Sequence, residues 1–341
     1  FGGNDGNGGN GGILYLSSGS NITINGNVFA RGGIGRMLTC SANTGNRGNG
    51  GKIIIIDRNQ NVTINGKIDT SPGEEGLCPN GFFADSDINV NELWINNTAD
   101  VRIGGRVNAS LITIAGIFGP SINIPGTQST RSSNISNITI TAVTLNLTST
   151  GVIIGNGQNL SQSASDMYGR DGALINISTT TFYFDGNISI NGGNSFSPTV
   201  GGNAGNGGNG GILYITVSNS LIINGNIFAI GGVGQNSCSS TTGNRGNGGK
   251  INITSLNNIE LKGRIIAERG EVGFCNNGTG GNVNIFAGNN LIIYNNISTE
   301  GSPAGNIILR GNLLNITNNV LLNATNETYI GTNGTIKLQF N

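Results

Sequence analysis

The chain has 341 residues, 60 of them glycine and 57 asparagine, and its 17 basic and 17 acidic side chains cancel. Zero net charge leaves no electrostatic footprint for nucleic acid or an anionic membrane, no apolar run approaches the roughly 20 residues of a membrane span, and a 35% hydrophobic content is enough to bury a core. Histidine is absent, which excludes Ser-His-Asp and Cys-His chemistry, His-ligated zinc and CxxCH haem. No cofactor is expected. The opening at Phe1, with no Met and no basic, apolar leader, reads as a processed chain or a fragment.

From the first residues onward the chain repeats itself. Residues 2–15 read GGNDGNGGNGGILY, and residues 201–214 read GGNAGNGGNGGILY, with one difference. The decapeptide TGNRGNGGKI at 44–53 returns unchanged at 242–251. This is a tandem duplication, and repeats must be settled before any other fold decision. Within each copy a shorter unit recurs: a glycine cluster, an Ile-rich alternating segment, a polar bend, a second alternating segment ending in Asn-Gly, and a short third one. Residues 13–33 (ILYLSSGSNITINGNVFARGG), 52–68, 212–232, 250–266 and 282–297 follow it. The alternation has period 2, which marks strands.

One such unit cannot bury its apolar face alone, whereas stacked copies can. The expected fold is all-β, a right-handed parallel β-helix (β-solenoid), internally duplicated. Asn and Gly are expected at the corners because both tolerate positive φ, with stacked Asn side chains hydrogen-bonding between coils. About eleven coils at about 4.8 Å each form a rod on the order of 50 Å long. Four segments are expected: copy 1 over 1–105, less regular coils with a protruding loop over 106–199, copy 2 over 200–299, and terminal coils, a cap or an inter-subunit strand over 300–341. Alignment of the units places Leu14 and Leu16, Ile53 and Ile55, Leu213 and Ile215, Ile251 and Ile253, and Val283 and Ile285 inward, with Tyr15, Ile54, Tyr214, Asn252 and Asn284 outward.

Seventeen Asn-x-Ser/Thr sequons occur, at Asn21, Asn61, Asn96, Asn108, Asn134, Asn137, Asn146, Asn159, Asn176, Asn187, Asn252, Asn277, Asn296, Asn315, Asn323, Asn326 and Asn333. They are candidate N-glycosylation sites. Asn-Ile-Thr is also simple strand alternation, and in both readings Asn faces outward. The duplication maps Cys40 onto Cys238 and Cys78 onto Cys275, each pair 37 or 38 residues apart and therefore about one coil. Stacking predicts disulfides Cys40–Cys78 and Cys238–Cys275, which belong to an oxidising, extracellular setting or to a hyperthermophile, where intracellular disulfides persist.

Glycine strings such as GNGGNGG match a dinucleotide motif only by composition, since no helix pattern follows them. GGNDGNGGNGG resembles a calcium nonapeptide, but its Asp5 becomes Ala204 in the second copy. A polysaccharide-cleaving site would draw on Asp85, Asp87 and Glu92, on Glu74 and Glu75, or on Asp166 and Asp171 beside Arg170; solvated loop charges explain these with fewer assumptions. Arg47 and Arg245, with Lys52 and Lys250, recur in the shared decapeptide and read as corner residues.

The segments GGNGGNGGILYL, NITINGNVFARGGIG and GNRGNGGKIIII resemble the glycine-rich β-helix repeats of large surface and adhesin-like proteins of bacteria and archaea, over about residues 1–80 and 200–300. The resemblance implies a stalk, adhesin or shell. The expected role is a non-enzymatic, secreted subunit of a filament, sheath or surface layer, partnered by further copies of itself and by covalent N-glycans. The first coil is expected to pack on Thr335 to Phe340 of the next subunit. The alternatives are an adhesin or carbohydrate-binding module and a β-helix polysaccharide lyase or hydrolase.

Overall fold

The computed structural model describes residues 8–33, 48–72, 85–120, 137–157, 159, 169–195, 206–234, 244–270, 278–326 and 332–340. Among these residues there is no helix, and every strand-to-strand ladder is parallel. Strands one coil apart in sequence lie side by side in space, which is the parallel β-helix expected from the repeat.

Each coil has up to three sides. Side 1 comprises, in order, Ile13–Leu16, Lys52–Ile64, Asp85–Ile95, Gly104–Ile114, Asn137–Leu147, Leu174–Phe184, Ile212–Val217, Lys250–Ser255, Asn282–Ala287, Ile307–Gly311 and Ile336–Phe340, and these number coils 1 to 11. In coils 2 to 6 the strand continues through side 2. In the others side 2 is separate: Ile22–Ile24, Leu221–Ile223, Ile259–Leu261, Asn290–Ile293 and Leu313–Ile316 in coils 1, 7, 8, 9 and 10. Side 3 is a second sheet of ten short strands, from Val28–Phe29 in coil 1 to Leu322–Asn323 in coil 10. Coil 11 has side 1 alone among the described residues.

Register follows the aliphatic alignment. Leu14 pairs with Ile53, Leu213 with Ile251 and Ile251 with Val283, while Leu16, Ile215, Ile253 and Ile285 occupy the next inward position. Their fellows on side 2 (Val62, Leu93, Ile112, Leu145) and on side 3 (Ile68, Val101, Ile153, Ile188) complete one buried cluster running along the whole stack. Ile53, Ile177, Ile251 and Val283 have no exposed surface to within 1%. Burying an aliphatic side chain stabilises by about 1.5–3 kcal/mol, and the strict period of 2 makes a one-residue slip expel a whole strand face. Leu14 and Leu16 are only half-buried, because no described strand covers coil 1 from below.

Coils 3 and 4 interrupt the first aliphatic column with Ser86 and Gly105. Ser86 is 1% exposed, and its hydroxyl accepts the Ile53 N–H at 3.2 Å. Gly105 has φ +105°, a conformation open to glycine.

Glycine stands at the corners for a different reason from the one expected. Among described residues only Gly105, Gly119 and Asn319 have positive φ in the left-handed range. The corner glycines between side 3 and the next side 1 are instead places where backbones meet. A Cβ on Gly11 would lie 2.3 Å from the Ala30 carbonyl oxygen and from the Gly51 nitrogen of the next coil, and one on its duplicate Gly210 would lie 2.2 Å from the Ala229 oxygen and 2.6 Å from the Gly249 nitrogen of the next coil. A side chain at either position would force adjacent coils apart.

The sheet runs without interruption through all four sequence segments. The described part of 106–199, expected to be less regular, contains strands of eleven residues at Asn137–Leu147 and Leu174–Phe184. Its lack of glycine clusters alters the corners and leaves the stacked sides intact.

Candidate functional site

The outer surface is built from the residues that alternate with the core. Asparagine dominates it, and its amides tie each coil to the next. Asn65 Nδ2 donates to Asn25 Oδ1 at 2.7 Å, and Asn96 Nδ2 donates to Asn65 Oδ1. Asn284 Nδ2 donates to Asn252 Oδ1 at 2.8 Å, and Asn226 Nδ2 to Asn187 Oδ1 at 3.1 Å. Other Asn carbonyls cap backbone N–H groups one coil on: Asn191 accepts Ile230 N–H at 2.8 Å, Asn226 accepts Arg264 N–H at 2.9 Å, and Asn296 accepts Leu321 N–H at 2.8 Å. These side chains satisfy corner donors that a strand ladder would otherwise satisfy.

The sequons sit on this surface. Asn21, Asn96, Asn108, Asn137, Asn159, Asn176, Asn315 and Asn333 are exposed; Asn61, Asn146, Asn187, Asn252, Asn296, Asn323 and Asn326 are half-buried. Asn134 and Asn277 lie outside the described residues. The half-buried group divides by what its amide does. Asn61 Nδ2 donates to Glu92 Oε2 at 3.1 Å, and Asn323 Nδ2 donates to Glu300 Oε2 at 2.9 Å. Asn252 Nδ2, the atom a glycan would join, is buried and makes no hydrogen bond. Side-chain parity in the sequence places Asn252 outward and cannot show that its amide nitrogen is covered.

Cys40, Cys78, Cys238 and Cys275 all lie outside the described residues, as do Arg47, Glu74, Glu75, Asp166 and Asp5. The side chain of Asp85 is likewise outside the described ones, and Asp87, Glu92 and Asp171 are each engaged. Asp87 Oδ2 accepts from Arg106 Nη2 at 3.4 Å, Glu92 Oε2 accepts from Trp94 Nε1 at 3.0 Å, and Asp171 Oδ1 accepts Asn209 N–H at 2.6 Å. Among the described residues no three His, Cys, Asp or Glu side chains gather where they could hold a metal. Arg170 is 8% exposed beside the corner. Lys250 is exposed, and its ammonium lies over the Tyr214 ring at 5.8 Å from the centroid.

Two charged clusters occupy corners. Asp69, 1% exposed, takes a two-pronged contact from Arg31 Nε at 2.9 Å and Nη2 at 2.5 Å, with Lys67 Nζ at 3.6 Å. Burial raises the Asp69 pKa, but the hydrogen bonds from Ser71 and the Arg31 guanidinium outweigh it and hold the carboxyl below its ordinary value. Arg31 also lies over the Phe29 ring at 5.1 Å. Farther along, Arg269 is 3% exposed, and its pKa is lowered by burial first and by the charge of Arg245 second.

A shallow trough crosses the outer face of side 1 over coils 2 to 5. Lys52, Arg58, Asp87, Arg106, Asn108 and Thr139 are among its walls. Two of its wall residues, Asn108 and Asn137, are sequons.

The two ends of the stack complete the inventory. The strand Ile13–Leu16 pairs on one edge only among the described residues, as do Ile22–Ile24 and Val28–Phe29. At the far end the same holds for Leu313–Ile316, Leu322–Asn323 and Ile336–Phe340. Apolar side chains are uncovered there: Ile336 is 41% exposed, Leu338 44% and Phe340 65%.

No protein-family model, no curated protein and no solved structure matches this chain.

Proposed function

We propose that this protein is a structural, extracellular β-solenoid: a glycosylated rod that joins other copies end to end into a filament, sheath or surface layer. One observation carries the reading. Among the described residues, the apolar interior continues to both ends of the stack and no strand covers it there, while the flanks carry hydrogen-bonded polar ladders and outward sequons. Unpaired parallel strand edges invite another strand, and unlike ends that meet head to tail generate a fibre unless the contact closes a ring. Glycans on the flanks would oppose sideways association and leave the ends free. This role needs no catalytic group, cofactor or metal.

Secretion and disulfides are part of the same proposal, because N-glycans belong to exported chains and Cys40–Cys78 and Cys238–Cys275 bridges persist in an oxidising setting outside the cell. Negative-stain microscopy of native material tests the reading together with site-resolved glycopeptide mass spectrometry. Expected are polymers, with glycans on exposed acceptors such as Asn137, Asn176 and Asn315 and none on Asn252. Lone rods bearing unmodified asparagines would defeat it.

A second reading, a carbohydrate-binding module, draws on the trough over coils 2 to 5 with its Arg106–Asp87 pair. It requires saturable glycan binding by monomers, lost in Arg106→Ala.

A further inference from the structure

The protein contains its own example of what a coil with the coil 1 sequence stacks upon. Coil 7 begins the second copy, and its first strand repeats the sequence of coil 1 (ILY preceded by GGNGG). Coil 7 rests on coil 6 along all three sides: Ile175 pairs with Leu213 and Ile177 with Ile215, Phe184 with Ile223, and Ile188 with Ile227. Coil 1 is therefore a coil of internal type whose lower edge no described strand covers.

The far end offers a matching surface, with one obstruction. Coil 10 has all three sides, and no described strand pairs with the outer edge of its side 2 or side 3. Leu314, Ile316 and Leu322 there are only partly buried, as are Ile22 and Val28 of coil 1. On side 1, however, Ile336–Phe340 lies over Ile307–Gly311 and covers Ile307 and Leu309 completely. With that strand in place, a second copy could stack on side 1 only, through Leu14 and Leu16. Sides 2 and 3 of the two copies would then stand two layers apart, about 10 Å, with no described residue between them.

Resting on the end-to-end reading above, we propose that Ile336–Phe340 is a displaceable cap, and that the docking surface for a second copy is the three-sided edge of coil 10. Coil 1 of the incoming copy replaces the cap. Leu14 seats on Ile307, Leu16 on Leu309, Ile22 on Leu314, Ile24 on Ile316 and Val28 on Leu322. These five core columns then cross the junction in the register of the internal one. The cap itself buries little, since Ile336, Leu338 and Phe340 keep 41%, 44% and 65% of their surface exposed, and it is held to coil 10 by one edge. It guards the longest free edge of that end until a copy arrives. The sequence alone suggests the opposite role, with the tail as the docking surface.

The two roles predict opposite results when residues 332–341 are deleted from the full chain. A cap predicts faster assembly, with the concentration needed for polymers about tenfold lower by sedimentation, and unchanged strand content by circular dichroism. Loss of polymers from a folded deletion variant would overturn the proposal. A cysteine pair gives an independent reading on outward positions. Tyr15→Cys with Ile308→Cys should form a bridge between copies, mapped by mass spectrometry, while Tyr15→Cys with Lys337→Cys should not; the reverse overturns displacement and leaves end-to-end assembly standing. Leu14→Asp should stop assembly of both full and shortened chains. If native material forms no polymers, or if residues preceding Phe1 in a longer chain occupy the edge of coil 1, the end-to-end reading falls and the cap with it.

Discussion

Coils 3 to 6 and coils 7 to 9 line the same dry interior, yet they turn from side 1 to side 2 differently. In coils 3 to 6 the last inward residue of side 1 and the first of side 2 are three positions apart: Val90 to Leu93, Ala109 to Ile112, Ala142 to Leu145, Thr179 to Phe182. Two outward residues in succession, such as Val143 and Thr144, absorb the change, and the ladder continues as one strand of eleven residues. In coils 7 to 9 the separation is four: Val217 to Leu221, Ser255 to Ile259, Ala287 to Leu291. Three non-core residues break the strand, and polar side chains take over the ladder's hydrogen bonds. Ser255 Oγ donates to the Asn219 carbonyl at 2.6 Å, Asn257 Nδ2 to the Ser218 carbonyl at 3.1 Å, and Asn258 Oδ1 accepts Asn290 N–H at 3.0 Å. One residue per coil thus exchanges a continuous backbone ladder for a stack of Asn and Ser.

This contrast can be broken in graded steps. The largest effect should come from inserting one Ala between Ile138 and Thr139, inside side 1 of coil 5. The insertion reverses facing, expels a core isoleucine and should remove at least about 3 kcal/mol of stability in guanidinium titrations. An Ala inserted after Val143, at the bend, merely reproduces the four-residue spacing and should cost visibly less. Equal costs would refute the bend as the tolerant point. Next, Phe184→Ala should lose about 3–5 kcal/mol. Phe184 is 1% exposed and stacks on Phe182 at 4.9 Å between centroids, just before the spacing changes.

Smaller effects separate charged corners from neutral bends. Asp69→Asn should cost about 1–3 kcal/mol by leaving Arg31 without its charged partner. Because the folded Asp69 carboxyl titrates below its unfolded value, its contribution is present above about pH 4 and disappears as pH falls through the folded pKa. The wild-type advantage over Asp69→Asn should therefore shrink in acid; a constant difference from pH 7 to pH 2 would contradict this. Last is Ser255→Ala, which removes a hydroxyl that donates to the Asn219 carbonyl and accepts the Asn257 N–H, at about 0.5–1.5 kcal/mol per hydrogen bond, readable as a shift in midpoint for coils 7 to 9 by hydrogen exchange.

Much of the architecture is legible in the sequence for a simple reason: a period-2 pattern that repeats coil after coil leaves few ways to make one dry interior. Leu14 over Ile53 and Ile251 over Val283 can be paired from letters alone. Ser86 and Gly105 escape that alignment because their coils lack the glycine clusters that anchor it. The purpose of Gly11 and Gly210 also escapes it, since close approach of two backbones is a distance between coils and has no local signature. The sequons are equally ambiguous in one dimension. Asn176 and Asn252 carry the same Asn-Ile pattern, and only the stack shows that one is exposed while the other has its amide nitrogen covered.

By itself, then, the amino-acid order determined the duplication, the strand parity, the inward columns and the stacking register, because local alternation and repeat length constrain these directly. The three-dimensional stack decided which asparagines serve as inter-coil ladders, where a strand bends or breaks, and how the last five-residue strand lies over coil 10. Those outcomes depend on contacts between residues 19 to 41 positions apart, and a contact at that separation exists only once the coils are wound.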